Sequence, residues 1–374
     1  MSYKALRVII SGGGTGGHIF PAISIADALK KANPDTEILF VGANGKMEME
    51  KVPAAGYRIV GLPVAGLQRK LTLRGLWRNL QLPFKLLRSN ARAGKVLREF
   101  RPQIAVGVGG YASAPLLRKA QQMHIPTLLQ EQNGFAGMTN KLLGSKAGCI
   151  CVACEGMERF FPAERIVMTG NPIRADIHPY GAAERDEGLE YYGLNPEKKH
   201  ILIIGGSLGS ATLNRSMQRW IEAGCPGGEG VEVLWQCGGG YSAQTDAFMA
   251  AHPTDSVRHS AFLKRMDLAY AVADVVISRS GASSVSEICA AGKAAVFVPS
   301  PNVAEDHQTH NAMALVRRDA ALLVKDAEAP EKMMETALGL LADPQRSAAL
   351  EKNALAMALP DAAQKIVEEI YKLV

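Results

Sequence analysis

Residues 7–18, RVIISGGGTGGH, and residues 200–210, HILIIGGSLGS, open the two halves of the chain alike. In each, a short apolar run passes straight into glycines and then into a helical stretch. An uninterrupted apolar run suits a strand buried on both faces, as in a parallel sheet. Glycines directly behind it permit a tight turn into a helix, whose first N–H groups can meet an anion. Outward from these two points the alternation continues. Strands are predicted at Arg7–Ser11, Glu37–Val41, Arg58–Leu62, Ile104–Val108, Thr127–Gln130, Cys149–Val152 and Ile166–Thr169. A linker rich in Pro, Gly and charge runs from about Pro172 to Lys199. The second set is His200–Ile204, Val231–Trp235, Ser256–Ser260, Val275–Ser278, Ala294–Val298 and Ala321–Val324. Such alternation implies an α/β protein with parallel sheets covered on both faces. The expected organisation is two doubly wound domains, 1–171 and 172–374, facing across a cleft, with the last helix a candidate to pack back on the first. Ligands in such sheets bind beyond the carboxyl ends of the strands.

Composition agrees with this reading. The 374 residues are 47% hydrophobic and 21% charged, which excludes disordered, collagen-like and disulfide-scaffold chains. The apolar start is too short for a signal-peptide core and runs at once into glycines, so export is not expected. No uninterrupted apolar run reaches the roughly 18 residues that a membrane-spanning helix needs. The spacing of Cys149, Cys151 and Cys154 matches no common zinc pattern, and GCICVAC reads as a buried strand.

The net charge of +6 is unevenly spread. Between Arg69 and Arg101 ten basic residues face one acid, Glu99, so that stretch carries +9 and the remainder −3. Leu73, Trp77, Leu80, Phe84 and Leu87 recur at helical spacing, with Arg74, Arg78, Lys85, Arg88 and Arg92 on the adjoining face. Pro83 is expected to split the run into two helices. An aromatic face beside a basic one suits an anionic membrane surface. The alternative is a core-packing helix with a solvated basic side. No nucleic-acid-binding signature accompanies the charge.

Gly12, Gly14 and Gly17 satisfy the spacing of a phosphate-binding glycine loop. A nicotinamide dinucleotide also needs an acid at the end of the second strand, where Gly42 and Ala43 stand instead, so NAD is disfavoured. The loop from Gly205 to Ser210 has the same mechanics. A third, RSGASSVSE at 279–287, follows a strand and opens a helix. Its Ser284 and Glu287 allow either a capping box or a ribose-binding carboxylate at Glu287. A fourth glycine turn, Gly109-Gly110-Tyr111, follows another strand.

In order along the chain stand SGGGTGGHIFPA, GGYASAP, EQNGFAGMTNK, GNPIR, GGSLGSATLN, RSGASSVSE and DHQTHNA. This series resembles the MurG family, bacterial transferases that add N-acetylglucosamine to a lipid-linked muramyl-pentapeptide, and the resemblance covers essentially the whole chain. One departure is Gln130, where the family commonly has His before EQN. The resemblance implies a GT-B fold of two Rossmann-like domains, the second holding UDP-N-acetylglucosamine and the first the acceptor. It implies inversion at the sugar, release of UDP, and work at the cytoplasmic face of the bacterial inner membrane. The implied partners are the polyprenyl-diphosphoryl muramyl-pentapeptide, an anionic membrane surface and other cell-wall synthesis proteins. The implied donor residues are Thr15, Gly16, Gly17, His18, Asn133, Arg174, Ser207, Leu263, Ala282, Ser283, Ser284, Val285, Ser286, Glu287 and Gln308. Gly14, Gly109, Gly110 and Tyr111 are candidate acceptor contacts, and Arg74, Trp77, Arg78, Leu80, Phe84, Lys85 and Arg88 candidate membrane contacts.

An inverting transfer needs a base for the acceptor hydroxyl, and His18, at the end of the first glycine loop, is the candidate. Its alternative role is to orient the loop or bind phosphate. His307 and His310 are spaced so that both can face the cleft, but zinc would need further ligands. The chain has no Asp-x-Asp, so helix N-termini near Gly209 and Ser283 are expected to hold the diphosphate without an essential metal. A UDP-sugar epimerase of the same fold and a non-catalytic membrane-bound sugar-nucleotide sensor are the rival readings.

Overall fold

Val8 and Ile10 of β1 (Arg7–Ser11) enter one apolar cluster and Ile9 enters another. That is the period-two alternation of a strand with helices on both faces. The computed structural model describes residues 3–64, 82–206 and 208–374. By contacts the chain forms two units, Met1–Arg174 with Pro360–Val374, and Ala175–Leu359.

The first unit holds β1, β2 (Glu37–Ala43), β3 (Arg58–Leu62), β4 (Ile104–Gly107), β5 (Thr127–Glu131), β6 (Cys149–Val152) and β7 (Ile166–Met168). Their order is β3-β2-β1-β4-β5-β6-β7, all parallel. The second unit holds β8 (Lys199–Ile204), β9 (Val231–Gln236), β10 (Val257–Ser260), β11 (Val275–Ser278), β12 (Ala294–Phe297) and β13 (Leu322–Leu323). Their order is β10-β9-β8-β11-β12-β13, again all parallel. Every predicted strand is present, with ends shifted by a residue or two. In each sheet the chain reverses its direction of travel once, between β1 and β4 and between β8 and β11. Those are the switch points where doubly wound sheets bind ligands.

The segment Ala362–Lys372 is a helix whose Ile366, Val367 and Ile370 are fully buried in the cluster of Val8, Ile10 and Ile25. Tyr371 stacks on Tyr3 and donates its hydroxyl to the Lys4 carbonyl. Cys149 and Cys151 are buried on β6, as their apolar context predicts. The helix Leu82–Phe100 has Pro83 in its first turn, where a missing N–H costs a helix nothing. Its Ala93, Val96 and Leu97 join the core while Leu87, Arg88, Arg92 and Lys95 are exposed; of the predicted apolar face, only the Leu87 side chain is described. Of the expected membrane contacts, Arg74, Trp77, Arg78 and Leu80 lie outside the described residues. Phe84 and Lys85 are described only as helix backbone.

At the amino end of the second sheet, His200 is buried within a charged cluster. Its backbone N–H donates to Asp274 Oδ2 at 2.7 Å. Its Nδ1 lies 3.4 Å from the Arg185 guanidinium and its Nε2 3.6 Å from Glu232 Oε2. Burial dominates and holds its pKa below the usual imidazole value of 6.5. Folding therefore favours neutral His200: its contribution is present above the unfolded value and is lost as pH falls through the folded one. Wild type should lose stability relative to His200→Gln between about pH 7 and 5. Denaturation midpoints of the two proteins across that window check this; parallel curves would refute it.

Candidate active site

In the first unit, the loop after β1 turns at Gly14, with φ of +89°, into α1 (Gly16–Ala32), which Thr15 precedes. Thr15 Oγ1 lies 3.1 Å from His18 Nδ1. If Nδ1 carries the proton and donates to Thr15, the lone pair falls on Nε2. The imidazole lies against Gly109, the turn after β4: a methyl there would be 2.7 Å from His18 Cδ2 and 2.9 Å from Nε2. Gly109 and Gly110 both have positive φ, and Ser113 Oγ lies 2.8 Å from both their carbonyls, which share its one proton. Any side chain on Gly110 would also run into the Gly13 carbonyl. A methyl on Gly14 would lie 3.3 Å from the Tyr111 ring. Burial, and then the nearby Glu48 carboxylate, raises the Tyr111 pKa above 10, so its hydroxyl stays a donor. The fold thus brings Gly14, Thr15, His18, Gly109, Gly110 and Tyr111 together at the first switch point.

Asn133 is held from below. The buried Glu131 at the end of β5 accepts the N–H of Asn133 at 3.2 Å, that of Gly137 at 2.9 Å and the Asn140 amide at 2.9 Å. Burial outweighs these bonds and raises its pKa. Gln130, where the family pattern commonly has His, is fully buried and donates to Asn171 Oδ1 at 3.3 Å. Asn171 donates to the Gln132 carbonyl, and Gln132 donates to the Val108 carbonyl at 2.8 Å, just before Gly109. Gln130 therefore belongs to an amide network beneath the loops. Arg174 is half-buried after β7.

The second unit repeats the plan. Gly205 and Gly206 follow β8, Ser207 lies outside the described residues, and Ser210 caps the helix Ala211–Glu222 by accepting the Leu213 N–H. After β11, Gly281 is the N-cap of the helix Ala282–Ala291. Ser284 therefore lies inside the helix, and the capping box with Glu287 does not form. The first helical bond runs from Val285 N to the Gly281 carbonyl, leaving the Ser283 and Ser284 amides ahead of it at the positive end of the helix. Ser283 Oγ is buried with no hydrogen-bond partner. Ser286 is half-buried on the same turns, and the Glu287 carboxylate accepts the hydroxyl of the fully buried Tyr270 at 3.2 Å.

Neighbouring loops are tied to these. Arg279 donates to Ser210 Oγ at 3.0 Å and to the Val298 carbonyl at 2.8 Å, and pairs with Asp326 at 2.6 Å. Gln308 is fixed at both ends, its carbonyl accepting Ser280 Oγ and its Oε1 accepting the Ser300 N–H, each at 2.8 Å. It follows two residues in left-handed conformation, Glu305 and Asp306. Such strain at non-glycine positions clusters at functional loops. Leu263 is a core side chain whose N–H donates to Gln236 Oε1 at 3.3 Å. Sequence reasoning missed Tyr270, Arg279, Gln236 and Glu131 as supports. Arg279 and Glu131 stood inside quoted motifs, whereas Tyr270 and Gln236 carried no signal.

The glycosyltransferase family 28 N-terminal domain matches residues 8–152 and the C-terminal domain residues 200–366. A Bacteroides fragilis protein named UDP-N-acetylglucosamine--N-acetylmuramyl-(pentapeptide) pyrophosphoryl-undecaprenol N-acetylglucosamine transferase is 53% identical over 99% of this chain and 96% of its own. The Parabacteroides distasonis protein of the same name is 52% identical over 99% of both chains. This chain belongs to the MurG family. The crystal structure of Acinetobacter baumannii MurG superposes with a TM-score of 0.73 at 28% identity, over 98% of this chain and 99% of that one. A putative UDP-N-acetylglucosamine 2-epimerase from Listeria monocytogenes, 14% identical with a TM-score of 0.68, covers 98% of this chain and 96% of its own and shares the fold alone.

Family membership turns the Glu287 geometry into a donor-binding prediction. Glu287→Ala should weaken donor binding by about 1–3 kcal/mol, read as a raised donor KM or UDP Kd. Tyr270→Phe should act in the same direction but less, because the carboxylate remains and loses only its orienting donor. Earlier melting with donor affinity intact would assign both residues to the fold instead.

Proposed function

We propose that this chain transfers N-acetylglucosamine from UDP-N-acetylglucosamine to the 4-hydroxyl of the muramyl sugar of undecaprenyl-diphosphoryl muramyl-pentapeptide. The family and the names of its half-identical relatives support the reaction. The observation that carries the donor half is the helix start at Ala282: forward amides at Ser283 and Ser284, a buried Ser283 hydroxyl without a partner, and the tethered Glu287 carboxylate within two turns. A diphosphate fits the first two and a ribose diol the third.

In the transfer, the acceptor oxygen bonds to the anomeric carbon as the bond to the UDP oxygen breaks, which inverts the centre. The acceptor proton goes to a base and the bond electrons leave on the diphosphate. His18 is that base in our reading. Its Nδ1 is held by Thr15, and Gly109, lacking a side chain, leaves the Nε2 edge uncovered by a methyl. The helix dipole and amides at Ser283 and Ser284 stabilise the charge that grows on the leaving UDP, so the chemistry does not depend on a divalent ion. An epimerase would share the donor features but would need no acceptor-directed base. The names of the half-identical relatives favour the transferase.

Labelled UDP-N-acetylglucosamine with the lipid-linked acceptor, in chelator, should give lipid-linked disaccharide. Sugar release or epimerisation without acceptor would favour the rival. His18→Ala should lower kcat about 100-fold or more, and near-normal kcat at saturating substrates would remove His18 from the chemistry.

The acceptor's polyprenyl tail requires work at a bilayer, on our reading the cytoplasmic face of the plasma membrane. No helix among the described residues is long and apolar enough to cross one. The +9 stretch, with exposed Leu87 and Arg88 at its described end, supports peripheral attachment. Each basic side chain near an anionic surface contributes about 1 kcal/mol. Wild type should sediment with anionic vesicles and leave in high salt. Reversal of Arg74, Arg78, Lys85 and Arg88 to Glu should reduce binding and transfer to a bilayer acceptor but spare a short-chain soluble one. Equal loss on both acceptors would end the membrane reading.

A further inference from the structure

Glu48 and Glu50 look alike in the sequence, two acids at the start of α2 (Glu48–Ala54). Glu50 is exposed, whereas Glu48 is wholly buried. Its Oε1 accepts the Ala43 N–H at the end of β2, at 2.9 Å, and its Oε2 accepts the Gly14 N–H in the first glycine loop, at 3.1 Å. Two glycines make room for it. A methyl on Gly13 would lie 2.6 Å from Glu48 Cδ, and one on Gly42 would lie 2.5 Å from Cγ. Neither glycine has positive φ, so space, not backbone conformation, is what they supply. An amide of the kind that elsewhere meets phosphate is thus engaged by an internal anion.

We propose that Glu48 is a positioning residue for the transfer: its carboxylate seats the Gly14 turn and thereby sets Thr15 and the His18 imidazole against Gly109. This rests on the reading of His18 as the base. Gly14 is directly followed by Thr15, whose hydroxyl orients the ring, so a displaced Gly14 moves the Thr15–His18 pair with it. A carboxylate accepts at both oxygens and can close on two N–H donors at once. A Gln in its place would turn an NH2 toward one of them, leaving a buried N–H without an acceptor. The Gly14 amide, engaged by Glu48, is also closed to phosphate.

The test is Glu48→Gln in the full-length enzyme, alone and combined with His18→Ala, with UDP affinity measured by calorimetry. Misplacing a reacting group by about 1 Å can cost about 100-fold, so kcat at saturating substrates should fall about 10–100-fold. UDP affinity should stay within about twofold, because the groups read as holding its diphosphate and ribose, Ser283, Ser284 and Glu287, lie in the second unit, and Glu48→Gln should add nothing to His18→Ala. Gly13→Ala, which keeps the carboxylate but pushes it aside, should give the same pattern and serves if Glu48→Gln does not fold. Unchanged kcat, or an equal loss with and without His18, would overturn the proposal. The latter result would leave Glu48 a purely structural residue while His18 stood. Normal turnover by His18→Ala would instead remove the base itself, a separate failure.

Discussion

Where a doubly wound sheet reverses direction, two strand ends send their loops away from each other, and nothing in the sheet covers the gap. That constraint shapes both units. The gap must be lined by loops that approach one another closely, so side chains are excluded where backbones meet. Gly110 can come no nearer the Gly13 carbonyl with a side chain on it, and Gly238 packs directly on Gly209. What remains at the edge is backbone N–H and a few hydroxyls, which suits anionic and sugar ligands.

The two units use this shared frame for different chemistry. In the first, the loop amide at Gly14 is occupied by Glu48, and the loops after β1 and β4 present an imidazole and a phenol. In the second, the ends of β8, β11 and β12 are knitted by Arg279, leaving the helix start at Ala282 with amides and a buried hydroxyl facing forward. One loop system presents the His18 imidazole and the other a helix start with free amides. A transfer that deprotonates one substrate and expels a diphosphate from the other has use for both.

Fold alone could not make that distinction. Two proteins named as UDP-N-acetylglucosamine 2-epimerases, one of them putatively, superpose on the chain at 14–15% identity with TM-scores of 0.65–0.68. The parallel sheets are common property, and function follows from the few side chains placed on the loops. Support for those side chains comes from residues that touch no ligand position in sequence reasoning: Tyr270 beneath Glu287, Glu131 beneath Asn133, and the Gln130–Asn171 pair beneath Gly109.

The sequence by itself determined the strands, the glycine loops and the family, because each is a local pattern. A buried parallel strand needs an apolar run, a tight turn needs glycine, and motif order is a property of the chain. It also marked Glu287 and His18 as candidates, since both sit within such patterns. It left Glu287 between a helix cap and a ligand group, and only the observed cap at Gly281 removed the first of these. It could not separate Glu48 from Glu50, or give Gln130 a role, because burial and hydrogen-bond partners join positions far apart in the chain. Val8 and Ile370 share a cluster from opposite ends of the chain. Contacts of that kind arise only when the sheet has closed and its helices have docked, so they belong to the tertiary structure alone.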